Sequence, residues 1–429
     1  MLIEGGTIVT LDPPEVSVAD LRVEGERIVE RGPGLRARPS EEVLDASGRL
    51  VLPGLVNAHT HLYGTLARGM RWPATRPRKL LEILEQVWWR LDRALDEETV
   101  YLSALVGGIE AALCGTTVLL DHHSSPGFIE GSLATVKRAL EEVGIRSVLC
   151  YEVSDRNGVE GRDAGLAENV SFQQHHQDGK TRGMIGAHAS FTLSEESLDR
   201  LAAAVDETGS SLHVHVAEDR HDVSHCHRKF GLGLAERFKQ HGLITSRSIL
   251  AHCVHLGPTE VELVHASGGW IAHNPRSNMN NSTGYAPTRA FSRAALGTDG
   301  IDQDMFAELR VAYLKKRDAG QRHALTDSLQ LLAGGHRLAA ALFGLPLGKL
   351  DVGGPADLLV LEYPSPTPLN AESLAGHLLF GIDRYHLRSV IVAGRFVVRE
   401  REVVGVDVRA AYRRARKAAP ALWKRMESL

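Results

Sequence analysis

Four cysteines in 429 residues, Cys114, Cys150, Cys226 and Cys253, are too few and too scattered for a disulfide framework. None of them shows CxxC spacing, so free thiols in a cytoplasmic protein are the expectation. No apolar run reaches about 18 residues, so no membrane-spanning helix is expected. The first residues, MLIEGGTIVTLD, carry acids and glycines where a secretory leader has a basic start and a long apolar core. Charge of one sign is also scarce: 49 Lys and Arg stand against 53 Asp and Glu, a net charge of -4. That balance argues against a general nucleic-acid or membrane-surface binder. Solenoid repeats and low-complexity tracts are absent from the sequence. What remains is a hydrophobic content of 43%, ordinary for a soluble globular protein, on a chain long enough for a large barrel and a small companion.

The middle of the chain alternates. Strand patterns fall at Leu52 to His61, Thr116 to His123, Arg146 to Val153, Met184 to Phe191, Leu212 to Glu218, Ile249 to His255, Trp270 to Pro275 and Ala294 to Gly300. Helical patterns lie between them, at Leu80 to Cys114, Glu130 to Val143, Glu195 to Thr208, Leu232 to His241 and Thr259 to Ser267. Gly144, Gly209, Gly242 and Gly268 each follow a helix, as C-cap glycines do. Strand–helix alternation of this kind predicts an α/β fold, a (β/α)₈ TIM barrel over residues 51–353, closed by helices at Met305 to Ala319 and Leu325 to Phe343. Residues 158–179 are polar and poorly periodic and read as a long loop with an irregular helix. Residues 1–50 and 354–405 are both β-rich and each is too small for a core of its own. We expect them to fold together as a composite β-sandwich. The basic tail, 406–429, reads as a solvated amphipathic helix.

Functional groups of such a barrel gather at the C-terminal ends of its strands. Here those ends carry His59 and His61, Asp121-His122-His123, Glu152, His188, His215 with Glu218, His252, His273 and Asp299. His59 and His61 are alternate residues of one strand, so they project to one side. Three neutral imidazoles and a carboxylate, His59, His61, His215 and Asp299, suit a borderline divalent ion such as Zn²⁺ or Fe²⁺. Such an ion lowers the pKa of bound water and makes it a usable nucleophile. Glu218, three residues past His215, is placed to carry a proton to a leaving nitrogen. His252 is placed to hydrogen-bond the water or the substrate oxygen. Taken singly, each residue has a plain alternative as a hydrogen-bonded core histidine or a capping acid. Their shared placement argues against coincidence.

The run Pro53-Gly-Leu-Val-Asn-Ala-His59-Thr-His61 resembles the first strand of the amidohydrolase superfamily. His215-Val-Ala-Glu218, Ala251-His252-Cys-Val-His-Leu256, His273-Asn-Pro-Arg-Ser-Asn278 and Gly297-Thr-Asp299-Gly300 resemble its cytosine-deaminase-like, chlorohydrolase and guanine-deaminase branch. Gly353-Gly-Pro-Ala-Asp357-Leu-Leu-Val360 resembles the returning β-sandwich. Asp121 to Pro126, Tyr151 to Asp155, His273 to Met279, Ser365 to Leu369 and Gly376 to Gly381 are similar to the SsnA aminohydrolases.

The resemblance implies a metal-dependent aminohydrolase that deaminates a purine, pyrimidine or related heterocycle. It implies His59, His61, His215 and Asp299 as ligands, Glu218 as proton shuttle and His252 beside the metal water, with Asp299 also catalytic. Binuclear relatives carry a bridging lysine at the end of the fourth strand. That strand here carries His188 and no lysine, so one divalent ion per chain is expected, zinc first and iron second. The expected partner is a small heterocyclic substrate, with no nucleic acid or membrane, in a homo-oligomer (a dimer). His188, His122, His123, Arg68 and Asn278 are candidates for substrate contact, although a surface salt bridge is the plain alternative for Arg68. The cluster His221, His225, Cys226 and His227 either lines the pocket or holds a second metal, though its spacing matches no common zinc pattern. Hydrolysis of a ring amide or a carbon–halogen bond in the same site, or a catalytically silent scaffold, are the competing functions.

Overall fold

The computed structural model describes residues 1–321 and 324–429. Its centre is a ring of parallel strands: β1 (Leu55–Thr60), β2 (Thr116–His123), β3 (Arg146–Val153), β4 (Ile185–Ala189), β5 (Leu212–Val216), β6 (Ile249–His252), β7 (Trp270–His273) and β8 (Ala294–Leu296). Each pairs with the next in sequence, and a bridge between Thr60 and Asp299 joins the first to the last. Helices follow the strands and cover the outside, which is the (β/α)₈ barrel that the alternation of patterns predicts. Val56, Ala58, Val118, Leu120, Val148, Cys150, Ile249, Ala251 and Ala272 fill the interior. These strands read as near-continuous apolar runs because both faces are covered.

The two chain ends share one mixed sheet. Leu50–Pro53 lies between Leu2–Leu11, to which it is parallel, and Leu358–Leu361, to which it is antiparallel. Leu387–Val392, Arg395–Arg399 and Glu402–Val403 extend the sheet on one side, and Pro14–Glu24 and Arg27–Gly32 on the other. Ile3, Ile8, Leu21, Ile28, Val51, Leu358, Val360 and Ile391 form its own buried cluster. Alternate residues supply that cluster, so a register slip of one residue would expose it.

An ion pair ties this sheet to the barrel. Arg146, the first residue of β3, places Nε 2.6 Å and Nη2 3.1 Å from the two carboxylate oxygens of Asp357, and both side chains are buried. Asp357 also accepts from the Ala393 amide at 2.8 Å. Removing one partner of a buried pair strands a charge, at a cost of about 3–5 kcal/mol. Asp357→Ala is therefore expected to lower stability by about that much, read from denaturant midpoints. A loss no larger than that of an ordinary surface substitution would show that the pair does not clamp the two parts.

Two segments differ from expectation. Residues 158–179 contain a regular helix, Gly158–His175, rather than a long loop with an irregular helix. Beside Phe172 its buried residues include Arg162, Glu168, Asn169 and Gln173, and this polar content hides it from hydrophobic periodicity. Asn169 bonds the backbone of Tyr151 in both directions at 2.8 Å, and Glu168 accepts from the amides of Gly131 and Leu133 at 2.9 Å. The C-terminal helix, Val408–Glu427, is amphipathic but packed rather than merely solvated. Ala411, Ala415, Ala419 and Leu422 are buried, and Trp423 donates its indole N–H to the Leu66 carbonyl at 2.8 Å. Among the described residues no helix is long and apolar enough to cross a membrane.

Candidate metal centre and active site

The ends of β1, β5, β6 and β8 converge on one cluster. His59 is buried on β1 and His61 is the first residue beyond it. His215 lies on β5, His252 ends β6, and Asp299 follows β8. The backbone turns sharply at these ends: Ala217, His252, Cys253 and Asp299 have φ of 51°, 73°, 50° and 53°. Left-handed conformations at non-glycine residues cost of order 1–3 kcal/mol each and gather where function over-determines them. Gly297 is required for a different reason. A Cβ there would sit 2.3 Å from Asn274 Oδ1 and 2.9 Å from His59 Cβ. Without one, the amides of Thr298 and Asp299 reach the His59 carbonyl at 3.0 and 2.9 Å, which brings the carboxylate to the imidazoles.

The donor atoms are spaced for one divalent ion. Asp299 Oδ1 lies 3.0 Å from His61 Nε2 and 3.5 Å from His59 Nε2, and His61 Nε2 lies 3.1 Å from His215 Nε2. Tetrahedral ligands at zinc distances stand about 3.3 Å apart, so these separations fit. His59 Nε2 is buried without a hydrogen-bond partner, a cost that a bound cation removes. Burial pushes His59 and His215 far below the ordinary histidine range, so both are neutral and able to ligate. His61 goes the other way. Burial lowers it, but the hydrogen bond and charge of Asp299 prevail and carry it up to about 9.

His61, His122, Glu152 and His215 form a second set of close donor atoms. The two sets cannot be filled together. His61 donates its Nδ1 proton to the His122 carbonyl at 2.6 Å, and His215 donates its own to the His188 carbonyl at 2.8 Å. Each then has only Nε2 to offer, and one imidazole nitrogen binds one metal.

These Nδ1 bonds also fix the tautomer and aim of each ligand. For His59 the partner is His213, whose Nε2 is 2.9 Å from His59 Nδ1. With Nε2 of His59 free for metal, its Nδ1–H donates to His213. The His213 proton then lies on Nδ1, facing Cys150 Sγ at 3.8 Å. Asp299 is held in turn by the Ser277 hydroxyl, which donates to Oδ2. Neither His213 nor Ser277 stands out in the sequence as a site residue. Yet His213-x-His215 has the same one-sided spacing as His59-x-His61, and that was the available signal. Loss of such outer partners costs 10–100-fold in metal affinity. His213→Phe, which keeps the ring and removes the acceptor, is expected to weaken zinc binding by about that factor in chelator competition. Unchanged affinity would show that His59 needs no such support.

Beyond these donor atoms opens a cleft. Leu80, Leu84, Trp88, Trp89, Phe191 and Ile301 give it apolar and aromatic walls, and His61, Glu152, His188, His215, Glu218 and Asp299 a polar floor. Glu218 Oε2 is 3.6 Å from His252 Nε2, and Oε1 accepts from Asn281 at 3.3 Å. Burial raises its pKa. His252 donates Nδ1–H to Asn278 Oδ1 at 2.9 Å, so Asn278 sits behind His252, and the cleft does not include it.

The other candidates are spread out. His188 lines the cleft, and burial pushes it down to about 4. His122 lies beneath the floor, its Nε2 3.1 Å from the carbonyls of Ala187 and His213. His123 is turned to Ser125 at 2.8 Å. Arg68 stands in an adjoining hollow with its guanidinium on Glu110 at 2.6 and 2.9 Å. The cluster on the helix Arg220–Phe230 is divided: His221 faces the cleft, Cys226 is buried and His227 is exposed.

The chain is similar to known proteins over nearly its whole length. A family profile described as "Amidohydrolase family" matches residues 50–397. A 5-methylthioadenosine/S-adenosylhomocysteine deaminase of Desulforudis audaxviator is 32% identical, over 93% of this chain and 94% of its own. A 5'-deoxyadenosine deaminase of Methanobrevibacter smithii is 29% identical over 95% and 94%. Among solved structures, an adenosine deaminase from Xanthomonas campestris with bound zinc superimposes with a TM-score of 0.85 at 25% identity, covering 100% of this chain and 98% of that one. An atrazine chlorohydrolase from Arthrobacter aurescens shares the fold, with a TM-score of 0.84 at 21% identity over 98% and 100%.

Proposed function

The chain belongs to the amidohydrolase family, hydrolases of carbon–nitrogen bonds, and from that premise we propose that it is a zinc-dependent deaminase of a purine-, pyrimidine- or related heterocycle. The observation that carries this reading is the spacing of Asp299 Oδ1 against His59 and His61 beneath a cleft that also holds Glu218. His59, His61, His215 and Asp299 would hold the ion, which would supply water acidic enough to attack at neutral pH. The remaining work belongs to side chains. Trp88, Trp89 and Phe191 give a planar ring an apolar bed from which bulk water is shed. Glu218 takes up the proton that the water loses and hands it to the departing nitrogen, which leaves as ammonia. His252, with Nδ1 engaged by Asn278, turns Nε2 to the reacting oxygen. We place the reaction in the cytoplasm, consistent with four buried cysteines. The relatives named above as deaminases of adenosine-type compounds support the reaction type. The test is a screen of zinc-loaded protein against purines, pyrimidines, pterins and triazines, with ammonia as the readout. Ammonia from at least one ring is expected. Halide or ring-opened product without ammonia would transfer the site to the other hydrolytic chemistries.

A further inference from the structure

The short helix Pro275–Asn280, which follows β7, carries groups that hold three residues of the site in place. Ser277 donates its hydroxyl to Asp299, and Asn278 Oδ1 accepts from His252 Nδ1 at 2.9 Å. Asn281, which caps the helix, donates to Glu218 Oε1 at 3.3 Å. A helix this short has no stability of its own. It also lacks an apolar face: its buried residues are Pro275, Ser277 and Asn278, and Met279 is exposed. Ser277 and Asn278 face the site, so little besides Arg276 is left to fasten the helix to its surroundings. The Arg276 guanidinium lies between two carboxylates of the chain that follows β8. Nη1 and Nη2 donate to the two oxygens of Asp302 at 2.8 and 2.6 Å, and Nη2 also reaches the Asp304 carbonyl at 3.4 Å. Nε donates to Glu308, whose side chain is fully buried, and the Arg276 amide donates to the other Glu308 oxygen at 3.0 Å. Asp302 lies just past Asp299, and Glu308 is on the helix Met305–Asp318. The clamp therefore joins the helix that carries Ser277 to the turn that carries Asp299.

We propose that Arg276 is a positioning residue: by clamping the helix Pro275–Asn280 to Asp302 and Glu308, it sets the aim of Asp299, His252 and Glu218 together. The proposal rests on the roles that the deaminase reading gives those three. An arginine is required here, not any cation. Its planar fork meets the Asp302 carboxylate with two parallel bonds while Nε faces Glu308, and an ammonium cannot hold both in one fixed geometry. Without the clamp every ligand is still present, but Ser277 no longer fixes the second oxygen of Asp299. Support of that kind, from behind a ligand, is what sets its orientation.

Chelator competition on zinc-loaded protein tests this without a substrate. The variant is Arg276→Met combined with Glu308→Gln, in which Gln still accepts from the residue 276 amide and no buried charge is stranded. It is expected to bind zinc about tenfold or more weakly. Ser277→Ala supplies the readout that a merely structural role would not move. Alone it is expected to weaken zinc by about tenfold, but added to the clampless variant by less than about threefold, because both changes act through the same bond to Asp299. Should the clampless variant fail to fold, Asp302→Asn takes its place. That site is 37% exposed, and Asn keeps the acceptor for the Asp304 amide. A loss of about threefold is expected there, with the same shortfall from additivity. Zinc affinity equal to the parent's, or losses that simply multiply with that of Ser277→Ala, would overturn the assignment. Ammonia release by the parent is followed in parallel. A parent that binds zinc and releases no ammonia from any ring overturns the deaminase reading, while the zinc comparison still decides the clamp.

Discussion

Glu218→Gln is expected to lower turnover by about 10²–10⁴-fold while the protein keeps its fold and its metal. The side chain follows β5 on the cleft side of His215, close to His252 and Asn281 and outside the ligand spacing of Asp299 with His59 and His61. Gln keeps its size and its contact with Asn281. What it cannot do is gain and lose a proton. Water attack on an amidine-like carbon requires that proton to reach the leaving nitrogen, and a ring seated on Trp88 and Trp89 shuts out bulk water as an alternative carrier. Burial raises the Glu218 pKa, as a proton carrier working near neutrality requires. A steady-state assay of zinc-loaded variant against parent, with zinc measured in both, checks the expectation. Turnover near the parent rate would remove Glu218 from the mechanism.

His215→Ala is expected to lose the metal and, with it, all turnover. His215 is the residue common to both groups of close donor atoms. Its loss leaves His59, His61 and Asp299, too few for a closed structural set, and weakens binding by more than the 10–100-fold that outer partners contribute. The same geometry predicts one ion per chain, because His61 and His215 each have a single free nitrogen. Elemental analysis checks both points: about one equivalent in the parent and none in the variant after dialysis. Two equivalents at full occupancy would require a ligand set that the paired imidazoles do not provide.

Much of the fold was legible in the sequence because the barrel is built from short apolar strands punctuated by glycine. The eight strand patterns match observed strands to within a few residues, and β8, expected to reach Gly300, stops at Leu296 because the chain must turn at Gly297. The helix Gly158–His175 was hidden because its contacts are made by Asn169, Glu168 and Arg162 rather than by an apolar stripe. The buried face of the C-terminal helix is built largely of alanines spaced among arginines, which reads as solvated until Trp423 is seen to dock on Leu66. His59 and His61 announce themselves by spacing. Asp299 joins them only through long-range folding, across some 240 residues. His213, Ser277 and Gly297 support the centre through tertiary contacts that pattern reading does not weigh. Arg68 shows the converse: a cation beside a motif in sequence whose folded partner is Glu110.

The central claim, hydrolytic deamination at a single metal held by His59, His61, His215 and Asp299, is tested most directly by metal removal and return. Protein stripped with a chelator is reloaded in steps with zinc while ammonia release is followed from a ring found active in the screen. The account predicts no ammonia from the stripped protein and a linear recovery that ends at one equivalent per chain. Ammonia release that survives full removal of metal, or that needs two equivalents to return, would contradict it.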